Sequence, residues 1–313
     1  MNLELKSNIL ELELDTVQYV RKQYNLDQPG KIEDAVALLR EWVLKQSHFN
    51  KKDFSDRYLE ATIIACKGSV ERAKIQMDKM CTLRTLLPQF FVNCLVKEDY
   101  SRYHKIVQSV VLPKLTPDHY RVYVAKYHNI EWEASEAILL FRQTICLGEY
   151  IKAHDYMSGF VLVADFSDAN LMNYLPKMSI LQCKQKFTIL MEGYGMRVKE
   201  IHIISKSKLV DGLVTFLKKM LSAKIFDRIK VHKSIEDLHE YFPKAILPKD
   251  YGGDERSLDT LQAEWIDVLS SDEYSKYLQE MNAATTNESC RPKDQFSEHY
   301  AGMPGTFRYL TVD

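Results

Sequence analysis

Through the first ninety or so residues, apolar positions recur every three or four places and polar ones fill the gaps. That spacing predicts helix after helix. Leu12, Tyr19 and Val20 are spaced for one helical face, Pro29-Gly30 interrupts, and Val36, Leu39, Val43 and Leu44 then repeat at helical intervals. A further helix is expected over 54–66. Ser69 is placed to cap the next, which stops at Pro88. From about residue 105 short β-branched runs alternate with helical ones. Strands are expected at 120–127, 160–166, 198–204 and 228–232, with helices near 133–152, 171–191 and 207–222. The alternation predicts an α/β lobe with a mostly parallel sheet beside an all-helical N-terminal lobe. After Tyr251-Gly252-Gly253 a helix is expected near 258–281, followed by a polar stretch, NAATTNESCRPKDQ, expected to pack poorly, and an apolar end, GTFRYLTVD, expected to dock back on the surface. The units are therefore set at 1–95, 96–257 and 258–313.

Charge and composition narrow the function. With 42 Lys and Arg against 43 Asp and Glu, the net charge is -1, so nothing global favours nucleic acid. No apolar run approaches a membrane span, and the first residues carry acids where a secretory signal carries a basic segment; a cytoplasmic protein is expected. The six cysteines contain no C-x-x-C pair, so neither a zinc knuckle nor a disulfide framework is suggested. Enzyme signatures are missing too: no G-x-S-x-G elbow, P-loop or H-E-x-x-H occurs. Gly193-Tyr194-Gly195 resembles half a dinucleotide fingerprint but precedes its strand. Asp165 closes a strand, where turn chemistry explains it. His202 alternates out of phase with Ile201 and Ile203, which reads as a structural histidine on the far face of the sheet. His232 and His239 have no third ligand nearby. No catalytic residue, cofactor or metal is expected.

The stretch MRVKEIHIIS followed by KSKLVDGLVTFLKKMLSAK combines a strand with an amphipathic helix. Its apolar stripe runs through Leu209/Val210, Leu213/Val214, Phe216/Leu217 and Met220/Leu221, and its other side carries Lys208, Asp211, Lys218 and Lys219. Arg197 and Lys199 open the strand, and Lys224 and Arg228 follow the helix four apart. Four cations converging from two elements would suit phosphate oxygens.

Continued through LSAKIFDRIKVHKSIEDLHEYFPKAILPKDYGG, with Glu264-Trp265 beyond, this half of the chain closely resembles the CRAL-TRIO lipid-binding family. The helical lobe, with ATIIACKGSVERAK, is similar to that family's N-terminal domain, so the resemblance covers roughly residues 10–280. It is nearest the tocopherol-transfer and retinal-binding branch. The resemblance implies a monomeric carrier of a small hydrophobic ligand of the tocopherol, retinoid or carotenoid class. The sheet would floor an apolar pocket closed by a mobile gate helix at about 207–221. It implies pocket walls at Phe141, Thr144, Ile145, Gly148, Phe160, Leu162, Ala164, Leu171, Ile189, Tyr194, Met196, Val198, Ile201, Ile203, Val210, Leu213, Val214 and Leu217. Thr144, Cys146 or Tyr150 would supply the few polar contacts. It further implies a phosphoinositide head-group cleft at Arg197, Lys199, Lys224 and Arg228, for cargo exchange during transient membrane association. Two departures stand out. The family's R-F-L-R-A-R segment is replaced by YLEATIIACK, which leaves only Lys67 nearby, and Ser205-Lys206-Ser207 stands where Asn and Pro are usual. A lipid-sensing adaptor that binds a phospholipid and a protein partner is the alternative.

Overall fold

The computed structural model describes residues 9–92 and 96–292. The helical lobe comprises α1 (Thr16–Lys22), α2 (Lys31–Lys45), α3 (Asp56–Ala65) and α4 (Val70–Leu86). Serines begin two of these helices: Ser55 accepts a hydrogen bond from the Tyr58 backbone N–H and Ser69 from that of Arg72. Each satisfies a donor the helix itself leaves unpaired. Val36, Leu39 and Val43 pack with Leu59, Ile63 and Met77 into a core of their own. Leu44 instead lies exposed, as do Leu12 and Tyr19. One step of helical rotation past Val43 carries a side chain off the buried stripe.

Two short turns, α5 (Val96–Asp99) and α6 (Tyr103–Ile106), lead into a five-stranded sheet of order β1 to β5. Its strands are β1 (Val107–Leu115), β2 (Tyr120–Tyr127), β3 (Gly159–Asp165), β4 (Val198–Ile204) and β5 (Ile229–His232). The first pair is antiparallel and the other three are parallel. Each parallel step requires a crossover. These are α7 (Ala137–His154), then α8 (Leu171–Tyr174) with α9 (Ile180–Thr188), then α10 (Val210–Lys218) with α11 (Ala223–Phe226). The expected α/β lobe with a mostly parallel sheet is what forms. Strand β1 was not expected from the sequence. It tolerates Pro113 because it is an edge strand whose register shifts between Val111 and Leu115.

The helix expected at 171–191 is divided. Pro176 ends its first part in a 3-10 turn, and α9 runs on into a π-helical turn over Ile189–Gly193. The helix expected at 258–281 is likewise two, α12 (Leu258–Leu269) and α13 (Asp272–Asn282), because Ser271 recaps the chain by accepting from the Tyr274 N–H. Helix α12 covers β1, where the Trp265 indole N–H donates to the Val111 carbonyl at 2.8 Å. The polar stretch expected to pack poorly is in fact docked on the helical lobe as far as residue 292. Arg291 is buried, with Nη1 at 2.8 Å from both Asp78 carboxylate oxygens and Nε at 2.6 Å from Glu288. The Thr286 N–H donates to Thr85 Oγ1 at 2.8 Å. A charged arginine balanced by two carboxylates holds a sequence that hydropathy alone reads as loose. Cys94 and the terminal GTFRYLTVD lie outside the described residues.

The Tyr251-Gly252-Gly253 turn before α12 has a local cause. A Cβ on Gly253 would lie 2.0 Å from the Leu247 carbonyl oxygen, and Gly252 sits at φ +70°. The turn presents Tyr251, whose hydroxyl donates to buried Asp165 at 2.9 Å. The other Asp165 oxygen accepts from the Ser167 N–H and hydroxyl. Asp165 is thus a turn and anchor residue.

Candidate functional site: an apolar cavity under α10

Strand register decides which side chains face the cavity. Phe160, Leu162 and Ala164 alternate onto one face of β3, and they pair with Val198, Ile201 and Ile203 of β4. Val198 and Ile201 are three apart, so strict alternation would put them on opposite faces. A register shift between Phe160 and Val161 absorbs one extra residue of β4 and restores both to the same side. Tyr123, Ala125 and Tyr127 continue the surface from β2.

Helix α7 closes the cavity from one side with Phe141, Thr144 and Gly148, and α9 adds Cys183, Lys186 and Phe187. A Cβ on Gly148 would approach the flexible end of Met196, Cε, to 2.6 Å, so a side chain here must displace Met196. Helix α10 and the turn after it lie across the opening with Leu213, Phe216, Leu217, Met220 and Leu221. Asp211, Lys218 and Lys219 of the same helix face solvent. The enclosed volume is about 210 Å³.

Of the expected wall, Phe141, Thr144, Gly148, Phe160, Leu162, Ala164, Leu171, Met196, Val198, Ile201, Ile203, Leu213 and Leu217 line the cavity. Five expected residues do not. Ile145 and Ile189 are buried in the main core instead. The Tyr194 hydroxyl turns to the Glu149 carboxylate at 2.7 Å. Val210 and Val214 are half-buried beside the cavity, because the stripe that faces it is 213, 216, 217, 220 and 221, one step round the helix.

Polar contacts also fall differently from expectation. Cys146 and Tyr150 are away from the cavity: Tyr150 packs edge-on against Trp265, and the Cys146 carbonyl accepts from Tyr274 at 2.5 Å. Thr144 does line it, but its hydroxyl donates to the Leu140 carbonyl at 2.8 Å. Tyr123 is 2.5 Å from Ser109 Oγ, and Tyr174 donates to the His128 carbonyl at 2.7 Å. Tyr127 and Lys186 were not anticipated. The Tyr127 ring stacks on Phe166 at 4.3 Å, and the Lys186 ammonium lies 5.4 Å from the Phe141 ring centre and 6.0 Å from that of Phe187. Burial pushes the Lys186 pKa down to about 8, against an opposing pull from Cys183. Their sequence signal was a lysine on the apolar face of α9, three residues after Cys183 and four before Leu190.

His202 lies on the far face of the sheet, as its phase predicted. Its Nδ1 is 2.9 Å from His232 Nε2 and its Nε2 is 3.1 Å from Glu200. Among the described residues, no group of His, Cys, Asp or Glu is arranged to hold a metal ion.

Behind the cavity, the residue after Gly148 belongs to a buried ionic cluster. Glu149 accepts from Arg84 of α4 at 2.8 Å, from Tyr194 at 2.7 Å and from Tyr277 of α13 at 3.0 Å. It ties the helical lobe and the C-terminal helix to the cavity wall.

The four expected head-group cations do not gather in one cavity. Arg197 lines a small cleft of about 60 Å³ with Arg57 and Lys152, while Lys199 lines another on the far side of the sheet with Glu200 and Tyr241. The Arg197 guanidinium sits over the Tyr24 ring at 4.9 Å and donates to its hydroxyl. Arg228 donates to the Val198 carbonyl, and Lys224 is exposed. Lys199 alternates from Val198 onto the far face of β4, and Arg197 lies before the strand begins.

Comparison with known proteins places this geometry. The profile of the CRAL/TRIO domain matches residues 107–253, which span all five strands, the cavity and α10. Residues 107–253 are a CRAL/TRIO domain. Alpha-tocopherol transfer protein-like of Homo sapiens is 32% identical over 123 residues, which is 38% of this chain and 35% of that protein. The Mus musculus protein of the same name is 33% identical over 118 residues, 37% of this chain and 34% of its own. The chain thus spans about a third of the length of these curated relatives. The crystal structure of Sfh5 aligns with 87% of this chain and 98% of that chain at 13% identity and a TM-score of 0.43. Among the described residues, no helix is long and apolar enough to cross a membrane.

Proposed function

We propose that the CRAL/TRIO domain binds one small hydrophobic molecule, of the tocopherol, retinoid or carotenoid class, and that the protein carries it between membranes without chemically altering it. The observation behind this reading is a cavity walled almost wholly by hydrocarbon and covered by one amphipathic helix. A ligand that hides about 300 Å² of apolar surface there gains roughly 7 kcal/mol from leaving water, which is enough to hold it with few polar contacts. Likeness to alpha-tocopherol transfer protein-like sequences supports the same class. Mass spectrometry of an organic extract, after tocopherol, retinal, carotenoid and phosphatidylinositol have been offered in competition, tests it. One isoprenoid per protein is the expected result. An empty cavity, or phospholipid alone, refutes it.

Exchange of cargo at phosphoinositide-bearing membranes belongs to the same proposal, with Arg197, Lys224 and Arg228 as the basic groups and Lys199, on the far side of the sheet, left out. Arg228 also braces β4, so its removal confounds the test. Replacing exposed Lys224 with Ala should slow transfer to phosphoinositide vesicles and leave cargo affinity unchanged. Equal loss of both refutes the division of labour.

A further inference from the structure

Lys186 is the one formally charged side chain among the residues that line the cavity. Among the described residues it has no carboxylate or hydrogen-bond partner, and its ammonium is left between the Phe141 and Phe187 rings. An ammonium on an apolar wall is poorly solvated and keeps its charge only at a cost. A lysine with a purely structural role would pair with an acid or extend its head to bulk water. Lys186, half-buried, has no acid beside it among the described residues: the groups near its ammonium are Phe141 of α7 and Cys183 and Phe187 of its own helix.

The nearest complement is on β2. Tyr127 lines the same cavity, and among the described residues its hydroxyl has no hydrogen bond where the neighbouring Tyr123, Thr144 and Tyr174 hydroxyls are each occupied. Cys183, which also lines the cavity, interacts electrostatically with each of Lys186 and Tyr127. The lining therefore supplies a polar pole of one positive charge and one hydroxyl that has no hydrogen bond among the described residues, within walls of hydrocarbon.

We propose that this pole reads the head group of the cargo, and that the preferred ligand is an apolar chain ending in a carboxylate, held by Lys186 and Tyr127. A single ammonium matches a single negative charge, and the carboxylate's two oxygens suit one charge-assisted bond from lysine and one from the phenol. The inference rests on reading the cavity as a cargo site, and it narrows that reading from neutral isoprenoids to acids.

The test uses cis-parinaric acid and its methyl ester, which share one fluorescent chain and differ only in head-group charge. Titrated into the full chain at pH 7, the acid should bind at least tenfold more tightly than the ester. Lys186→Met, which keeps the volume and removes the charge, should abolish that preference through loss of acid affinity alone. Tyr127→Phe should weaken the acid severalfold and spare the ester. Circular dichroism and melting of each variant confirm that it is folded, and Lys186→Met should melt no lower than the parent because it removes an unpaired charge. Equal binding of acid and ester by the parent, or an acid preference that survives in Lys186→Met, overturns the head-group inference and leaves the carrier reading standing. No binding of either probe overturns both.

Discussion

The Arg84–Glu149 pair offers the sharpest test of how the cavity wall is held. Both side chains are about 1% exposed, so removing either strands the other in a site without water. Breaking such a pair from one side typically costs about 3–5 kcal/mol. The two halves should differ. Without Arg84, Glu149 still accepts from Tyr194 and Tyr277. Without Glu149, Arg84 loses its one partner there, and its Nε and Nη1 are already unpaired. Glu149→Leu should therefore cost near 5 kcal/mol and Arg84→Met near 3 kcal/mol, taking the two ends of the usual range. In the double variant neither charge of this pair is left buried without the other. What remains is two orphaned phenols at about 1 kcal/mol each, or roughly 2 kcal/mol in all. Urea unfolding with a shared slope measures all four species, and the expected coupling is about 6 kcal/mol, the sum of the singles less the double. Costs that simply add in the double variant would refute the reasoning, and so would Arg84→Met proving the more damaging single.

Further outcomes follow from the same geometry. Phe216→Ala, at a half-buried position on the covering helix, should speed cargo release by roughly tenfold, equivalent to about 1.4 kcal/mol, with little change in melting of the empty protein; unchanged release in stopped-flow fluorescence would count against a gating role. Gly148→Leu projects past Met196 into the cavity and should yield a folded protein that binds no cargo; binding at the parent's affinity would show that the ligand lies elsewhere. Gly253→Ala should destabilise by on the order of 3 kcal/mol, because no side chain fits against the Leu247 carbonyl; a melt within a degree of the parent would refute that. Burial pushes the His104 and His154 pKa values down to about 4. The unfolded chain therefore binds protons that the folded one refuses between about pH 6.5 and 4, and stability should fall as pH drops through that window. His154→Gln should flatten the slope measured by urea titration at several pH values.

The residue pattern was enough to place the two lobes and the parallel strands, because helix and strand periodicities are local and each parallel pair demands a crossover. The serine starts of α3 and α4 and the far-side position of His202 were legible for the same reason. Most of the cavity wall followed from family resemblance. The misses came where a local rule met a nonlocal one. Val210 and Val214 belong to an apolar stripe too wide for one cavity, and only the docking angle of α10 selects Leu213, Phe216 and Leu217 from it. Lys199 and Arg197 look adjacent in a strand, but the strand begins only at Val198 and the two line different clefts. Thr286 and Arg291 look unstructured until Thr85 and Asp78, two hundred residues away, come within reach.

What the sequence determined by itself was most of the helices, the parallel strands and their order, all of which depend on near neighbours. Tertiary structure decided which side chains share a space. It set Ile201 beside Val198, buried Glu149 against Arg84, and left Lys186 facing hydrocarbon without an anion, because contacts between distant segments depend on register, docking angle and charge pairing that no local window contains.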